Sequence, residues 1–309
     1  MIVLPHRHWV RLLFAGRGSV LPRLLPRLAL IGGVSCLALW LRPWWPRHAG
    51  DSMLTVSAFT LMGVTLALFL GFRNTVSYER YWEGRKLWGT LLNSSRSLAR
   101  QMLCFTPHPE VSEARRQFVR GVAAFAQALA HHLRGSDAGA DLERLLPADA
   151  CERLARADNR PLIVLLWLGK MASGLQQQGR LEMLQLQLLE THLNTLSEVQ
   201  GGCERIAGTP FPYTYRVLLT RTVSVYCLLL PFALAASIGW WTPLIACFIA
   251  YTFFALDEIG GEIEEPFGVE PNDLPLFSLS YNIEASLHEM LQEPMRVLPP
   301  PPERRFNLI

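Results

Sequence analysis

The chain has 309 residues, 50% of them hydrophobic and 18% charged, with a formal net charge of +3 and a mean hydropathy of +0.20. That is too apolar for an ordinary soluble domain and too charged for a chain lying wholly in lipid. So small a net charge gives nucleic-acid binding no electrostatic support, and scattered cysteines without a CxxC pair indicate neither a disulfide framework nor a thiolate metal site.

In chain order, residues 1–27 are basic (His6, Arg7, His8, Arg11 and Arg17). The first long apolar stretch starts late and lacks a small-residue cleavage site, so the segment reads as retained rather than as a signal peptide. A span needs roughly 20 apolar residues to cross the hydrocarbon core. Leu28–Leu41 falls short alone and is extended into the interface by Trp44 and Trp45, whereas Leu54–Phe72 carries no charge and qualifies unaided. Residues 28–72 therefore read as two transmembrane helices.

The next stretch, RNTVSYERYWEGRKLWG, follows with no Pro and no turn signal, which predicts one continuous helix leaving the membrane. Glu79 and Glu83 are four apart and Glu83 lies three before Lys86, so acids and a base share a face. Tyr78, Tyr81, Trp82 and Trp88 cover much of the remainder, and a helix so decorated needs neighbours. Residues 73–215 read as a cytoplasmic helical domain: Arg115–His132 precedes the loop GSDAGAD, and Leu181–Val199 is stopped by Gly201 and Gly202. Within 216–256, the uncharged run Thr222–Leu256 divides at the turn SIGWWTP into two further spans. An acidic loop and helix follow over 257–293, and the Pro-rich tail 294–309 is predicted to be disordered.

Arginines set the orientation. Arg7, Arg11, Arg17, Arg23 and Arg27 precede the first span, against Arg42 and Arg47 in the first connecting loop and none at SIGWWTP. Positive-inside then places both termini and residues 73–215 in the cytoplasm, with the pairs Trp44-Trp45 and Trp240-Trp241 on the outer face.

Enzymatic signatures are missing. The spans hold no His for haem or quinone, and the chain has no Glu-x-x-His di-iron pairs, Gly-rich phosphate loop or nucleophile elbow. The second, third and fourth spans also lack the intramembrane ionisable residues of active transporters. Passive conduction fits better, with no cofactor implied. A non-conducting membrane scaffold, binding a partner through its cytoplasmic domain, is the alternative.

The stretch RNTVSYERYWEGRKLWGTLLNSSRSLARQ resembles the signature of the bestrophin family in its bacterial branch, and ALDEIGGEIEEPFGVEPNDLPL (residues 255–276) resembles its second signature, centred on Pro266-Phe267-Gly268. The resemblance runs from about the first span to Leu291. It implies an all-α membrane protein of four transmembrane helices plus a cytoplasmic helical domain, assembled as a homopentamer around a central pore in the bacterial inner membrane. Five copies of the second span would line a narrow neck opening into a vestibule. Three apolar residues one turn apart form the family's neck, and the match places them at Val64, Leu68 and Phe72. Their spacing of four sets them on one stripe of a helix, although periodicity alone leaves them free to face lipid or protein. A second constriction maps to Leu184 in LEMLQLQLL.

The acidic run Asp257, Glu258, Glu262, Glu264, Glu265, Glu270 and Asp273 invites two readings: oxygen ligands for a hard cation, or partners of the arginines in Arg73–Arg100 across subunits. Animal members bind calcium just after the matching PFG, but Val269-Glu270-Pro271-Asn272-Asp273 offers too few ligands, so no metal is expected. Five copies of Asp51 would ring the outer mouth with negative charge, unless Asp51 or Ser52 is a helix N-cap. Arg73 at the inner end would pull towards anions if it faced the pore. Animal members pass chloride and the bacterial branch includes cation conductors, which tips the expectation towards sodium and potassium.

Overall fold

In a computed structural model of the chain, residues 19–44, 56–105 and 112–294 are described. Every regular element among them is helical: α1 (Leu21–Leu41), α2 (Val56–Cys104), α3 (Glu113–Arg134), α4 (Gly139–Leu145), α5 (Ala148–Ala155), α6 (Arg160–Gln177), α7 (Met183–Gly208), α8 (Tyr213–Ile238), α9 (Thr242–Glu264) and α10 (Leu276–Leu291). The all-α expectation holds. Leu21–Trp44, Val56–Cys104 and Tyr213–Glu264 are the three helical stretches, among the described residues, long and apolar enough to cross a membrane. The last is interrupted at SIGWWTP by a 3-10 turn, Gly239–Trp241, that separates α8 from α9.

Several helices run further than the apolar runs suggest. α1 begins at Leu21 rather than Leu28. Pro22 falls in the first turn, where a missing N–H costs nothing, and Arg23 reaches out to Glu262, Nη1 to Oε1 2.9 Å. At the other end α9 continues through Asp257 to Glu264, because these acids meet arginines. α7 does not stop at Gly201 and Gly202 but runs on to Gly208. Gly202 is a packing glycine: a Cβ there would stand 2.9 Å from Leu87 Cδ1, so its absence lets α2 and α7 approach closely.

The chain forms two compact units. Of the described residues, one contains those from 19 to 80 together with Pro210–Glu265; the other contains those from 81 to 209 and from 266 to 294. In the first, α1, α8 and α9 pack on one another around a core that includes Leu24, Ile31, Val223, Cys227, Ala246 and Ala250, to which α2 adds Phe59, Leu66 and Leu70. If lipid surrounds these helices, apolar burial supplies little drive, and close van der Waals packing carries the association. The Phe59 and Tyr226 rings, 5.8 Å between centroids, are one such contact.

The second unit is built around α3, whose residues from Phe118 to Ala130 are buried almost without interruption except for Arg120. A helix apolar on all sides belongs in the middle of a bundle, and α4, α6, α7 and α10 surround it. Its core includes Trp88, Leu91 and Leu98 of α2 and Leu189, Leu196 and Val199 of α7. Local signals fix the helix starts. Asn159 Oδ1 accepts from the Leu162 amide at 3.2 Å to open α6, and Glu182 and Gln185 form a capping box at the head of α7.

Candidate functional site

α2 divides into two faces. Phe59, Leu66, Leu70, Arg73 and Ser77 are buried, and their spacings of seven, four, three and four keep them on one side. Val64, Leu68 and Phe72 are 64%, 59% and 59% exposed. At 3.6 residues per turn the centres of the two sets lie about 170° apart around the axis. The three residues expected at the neck thus form an unbroken apolar stripe opposite the face the helix spends on its own chain. Only 22% of the most apolar stretch of this helix is buried, so most of its surface is left for lipid or for other subunits.

One residue past Phe72 the character of the helix changes on its buried side. Arg73 is 2% exposed. Its Nη1 donates to Asp257 Oδ1, and its Nη2 lies 3.5 Å from Glu264 Oε2. Thr220 Oγ1 donates to the other Asp257 oxygen at 3.3 Å, and Arg80 Nε donates to the Glu264 carbonyl at 3.1 Å. Burying the guanidinium is costly unless it is paired and hydrogen-bonded; here two carboxylates of α9 do both. Asp257 and Glu264 are seven apart, hence on one face of α9, a signal readable in the sequence. The arginine is turned away from the Val64–Leu68–Phe72 stripe and contributes no bare positive charge to it.

The acidic run is used inside the chain. Arg23 lies 2.9 Å from Glu262 and 3.7 Å from Glu258, and Asp273 Oδ2 accepts from the Glu270 amide at 2.7 Å. The expected partners in Arg73–Arg100 are met within one copy for Asp257 and Glu264, through Arg73, whereas Glu258 and Glu262 pair with Arg23, outside that segment.

Of the four aromatics after Phe72, Trp88 is 1% exposed in the core of its unit, whereas Tyr78 and Trp82 are 56% and 49% exposed. Leu184 lies on the first turn of α7 beside Met183, each 66% exposed, an apolar pair on an open helix end. Asp51 lies outside the described residues.

Sequence and structure comparisons point to one family. Residues 1–289 match the family described as bacterial/fungal bestrophin protein. The chain is 45% identical over 294 residues to a voltage-dependent anion channel-forming protein of Ralstonia nicotianae, covering 95% of each chain. It is 39% identical over 311 residues to the voltage-dependent anion channel-forming protein YneE of Escherichia coli K12, covering both in full. Its fold resembles the crystal structure of a bacterial bestrophin homologue from Klebsiella pneumoniae, with a TM-score of 0.83 and 38% identity over 88% of this chain and 100% of that one.

Proposed function

The chain belongs to the bestrophin family of ion channels, and from that premise we propose that it assembles as a homopentamer in the bacterial inner membrane and passively conducts small monovalent ions. The observation that carries the reading is the apolar stripe Val64, Leu68 and Phe72, left open opposite the buried face of α2. Five such stripes around an axis make a neck that offers ions no hydrogen bonds, and a passage of this kind closes by dewetting. Leu184 forms the second constriction. Counting Tyr213–Ile238 and Thr242–Glu264 separately gives four spans. Both termini and residues 73–215 lie in the cytoplasm, consistent with the arginine count before the first span.

We keep the cation preference read from the sequence, with Asp51 ringing the outer mouth. The pairing of Arg73 with Asp257 and Glu264 supports it, because the cation that follows the stripe is outweighed by two carboxylates. The relatives' names, anion channel-forming proteins, point to the opposite sign.

Purified protein in planar bilayers tests the proposal. Current is expected, and Leu68→Ala and Phe72→Ala should each raise it. A reversal potential in asymmetric NaCl near the sodium value supports the cation preference, and one near the chloride value refutes it. If both substitutions leave the current unchanged, the stripe is not the neck. Mass measurement of the solubilised protein should give five chains; a five-chain ring that passes no current under any condition would be a scaffold instead.

A further inference from the structure

The unit built on Tyr81–Thr209 holds a cavity of about 390 Å³ between α5 and α6, within the size range of small-molecule pockets. Its accessible apolar lining comes from Ile163, Leu166 and Trp167 of α6, backed by Leu154 of α5 and Val164 of α6, which are fully packed at 3% and 0% exposure. Trp167 forms a wall. That ring is held from behind by α3: a Cβ on Gly121 would stand 2.5 Å from Trp167 Cζ3, so the missing side chain is what lets the indole lie against the helix. The wall is preformed, which lowers the cost of ordering a guest.

The rim is cationic. Arg153, Arg156 and Lys170 line the cavity, and no acidic side chain does among the described residues. Arg156 is shared with Glu152 at 2.7 Å, whereas Arg153 and Lys170 have no ion pair among the described residues. Three cations over an apolar floor select by chemistry. A hydrophilic anion would leave the floor wetted, a neutral molecule would leave the rim unused, and a cation would be repelled.

We propose that this cavity binds an amphipathic carboxylate, with its alkyl chain against Ile163, Leu166 and Trp167 and its head group at Lys170 and Arg153. Each added methylene should then tighten binding about fourfold until the cavity is full.

The test uses the full chain in lipid nanodiscs and a photoreactive decanoate carrying a diazirine on its chain, with labelled peptides read by mass spectrometry. Labelling should concentrate on residues 146–170. Decanoate should compete for it, better than octanoate and hexanoate in that order, while decyltrimethylammonium should not. Arg153→Gln/Lys170→Gln should cut it at least fivefold. Labelling spread evenly over the apolar helices, or absent from 146–170, overturns the proposal, as does equal competition by the cationic amphiphile. The wild-type competition series decides the matter even if the double variant fails to fold.

Discussion

Asp257→Asn isolates the electrostatic contribution of the Arg73 cluster. The Arg73 side chain is 1% exposed and that of Asp257 10%, and the substitution keeps the shape and one acceptor while removing the negative charge. Stripping one partner from a buried pair costs about 3–5 kcal/mol, because the other charge stays buried without compensation. Glu264, 2% exposed and 3.5 Å from Nη2, remains, which places the expected loss at the lower end, about 3 kcal/mol. For a chain of 309 residues that lowers the melting temperature by about 5 °C, readable by thermal unfolding of the protein in nanodiscs. The triple variant Arg73→Met/Asp257→Leu/Glu264→Leu removes all the charges together and should recover most of the loss, since apolar replacements of a buried ion cluster are often neutral. Arg73 directly follows Phe72, so Asp257→Asn should also broaden the distribution of single-channel amplitudes. A melting temperature within about 1 °C of the parent, or a triple variant as unstable as Asp257→Asn, would refute the reasoning.

In the other unit, Glu284 is 0% exposed and accepts from Gln127 Nε2 at 2.7 Å and from both terminal nitrogens of Arg144. Arg144→Met should destabilise by about 3–5 kcal/mol and Glu284→Gln by only about 1–2 kcal/mol, compared by thermal unfolding. Burial raises the pKa of Glu293, but hydrogen bonds from Arg116 and Arg120 outweigh it and hold the carboxyl below its ordinary value of 4.5. Its contribution is therefore complete above that value and lost as pH falls through the folded one, so Glu293→Gln should be less stable at pH 7 and show a flatter acid limb between pH 5 and 3. Gly202→Ala should cost at most about 2 kcal/mol, measured the same way, because crowding of the Leu87 methyls is offset by about 1 kcal/mol of helix propensity; an unchanged melting temperature would mean that Leu87 turns aside.

Local apolar patterning made the membrane-length helices legible. Leu54–Phe72 is an uninterrupted uncharged run, and SIGWWTP carries its own turn chemistry. The ends of those helices were not legible, because tertiary partners decide them. Arg23 extends α1 and Asp257 and Glu264 extend α9 only because each charge finds an opposite one far along the chain. Gly201 and Gly202 read as a stop signal because glycine is a poor helix former; that the second one meets Leu87 of α2 is a long-range fact absent from the local pattern. For the stripe, spacing of four gave one face of a helix but not its direction. The direction follows from the opposite face, where Leu66, Leu70 and Arg73 are buried.

The continuity of α2 also has an electrostatic consequence. An α-helix carries a macrodipole equivalent to about half a negative charge at its C-terminal end, on carbonyls that have no amide partner. A helix that stopped at Phe72 would place that partial charge, and those unsatisfied carbonyls, against the apolar stripe. α2 instead ends at Cys104, 32 residues further on (104 − 72), or about 48 Å along the axis. At a Debye length of about 8 Å in physiological salt, the pole is screened from an ion beside Phe72. With Arg73 turned to the opposite side of the helix and paired there with two carboxylates, the stripe carries no charge of its own, and whatever discrimination between ions it makes rests on size and on the work of shedding water.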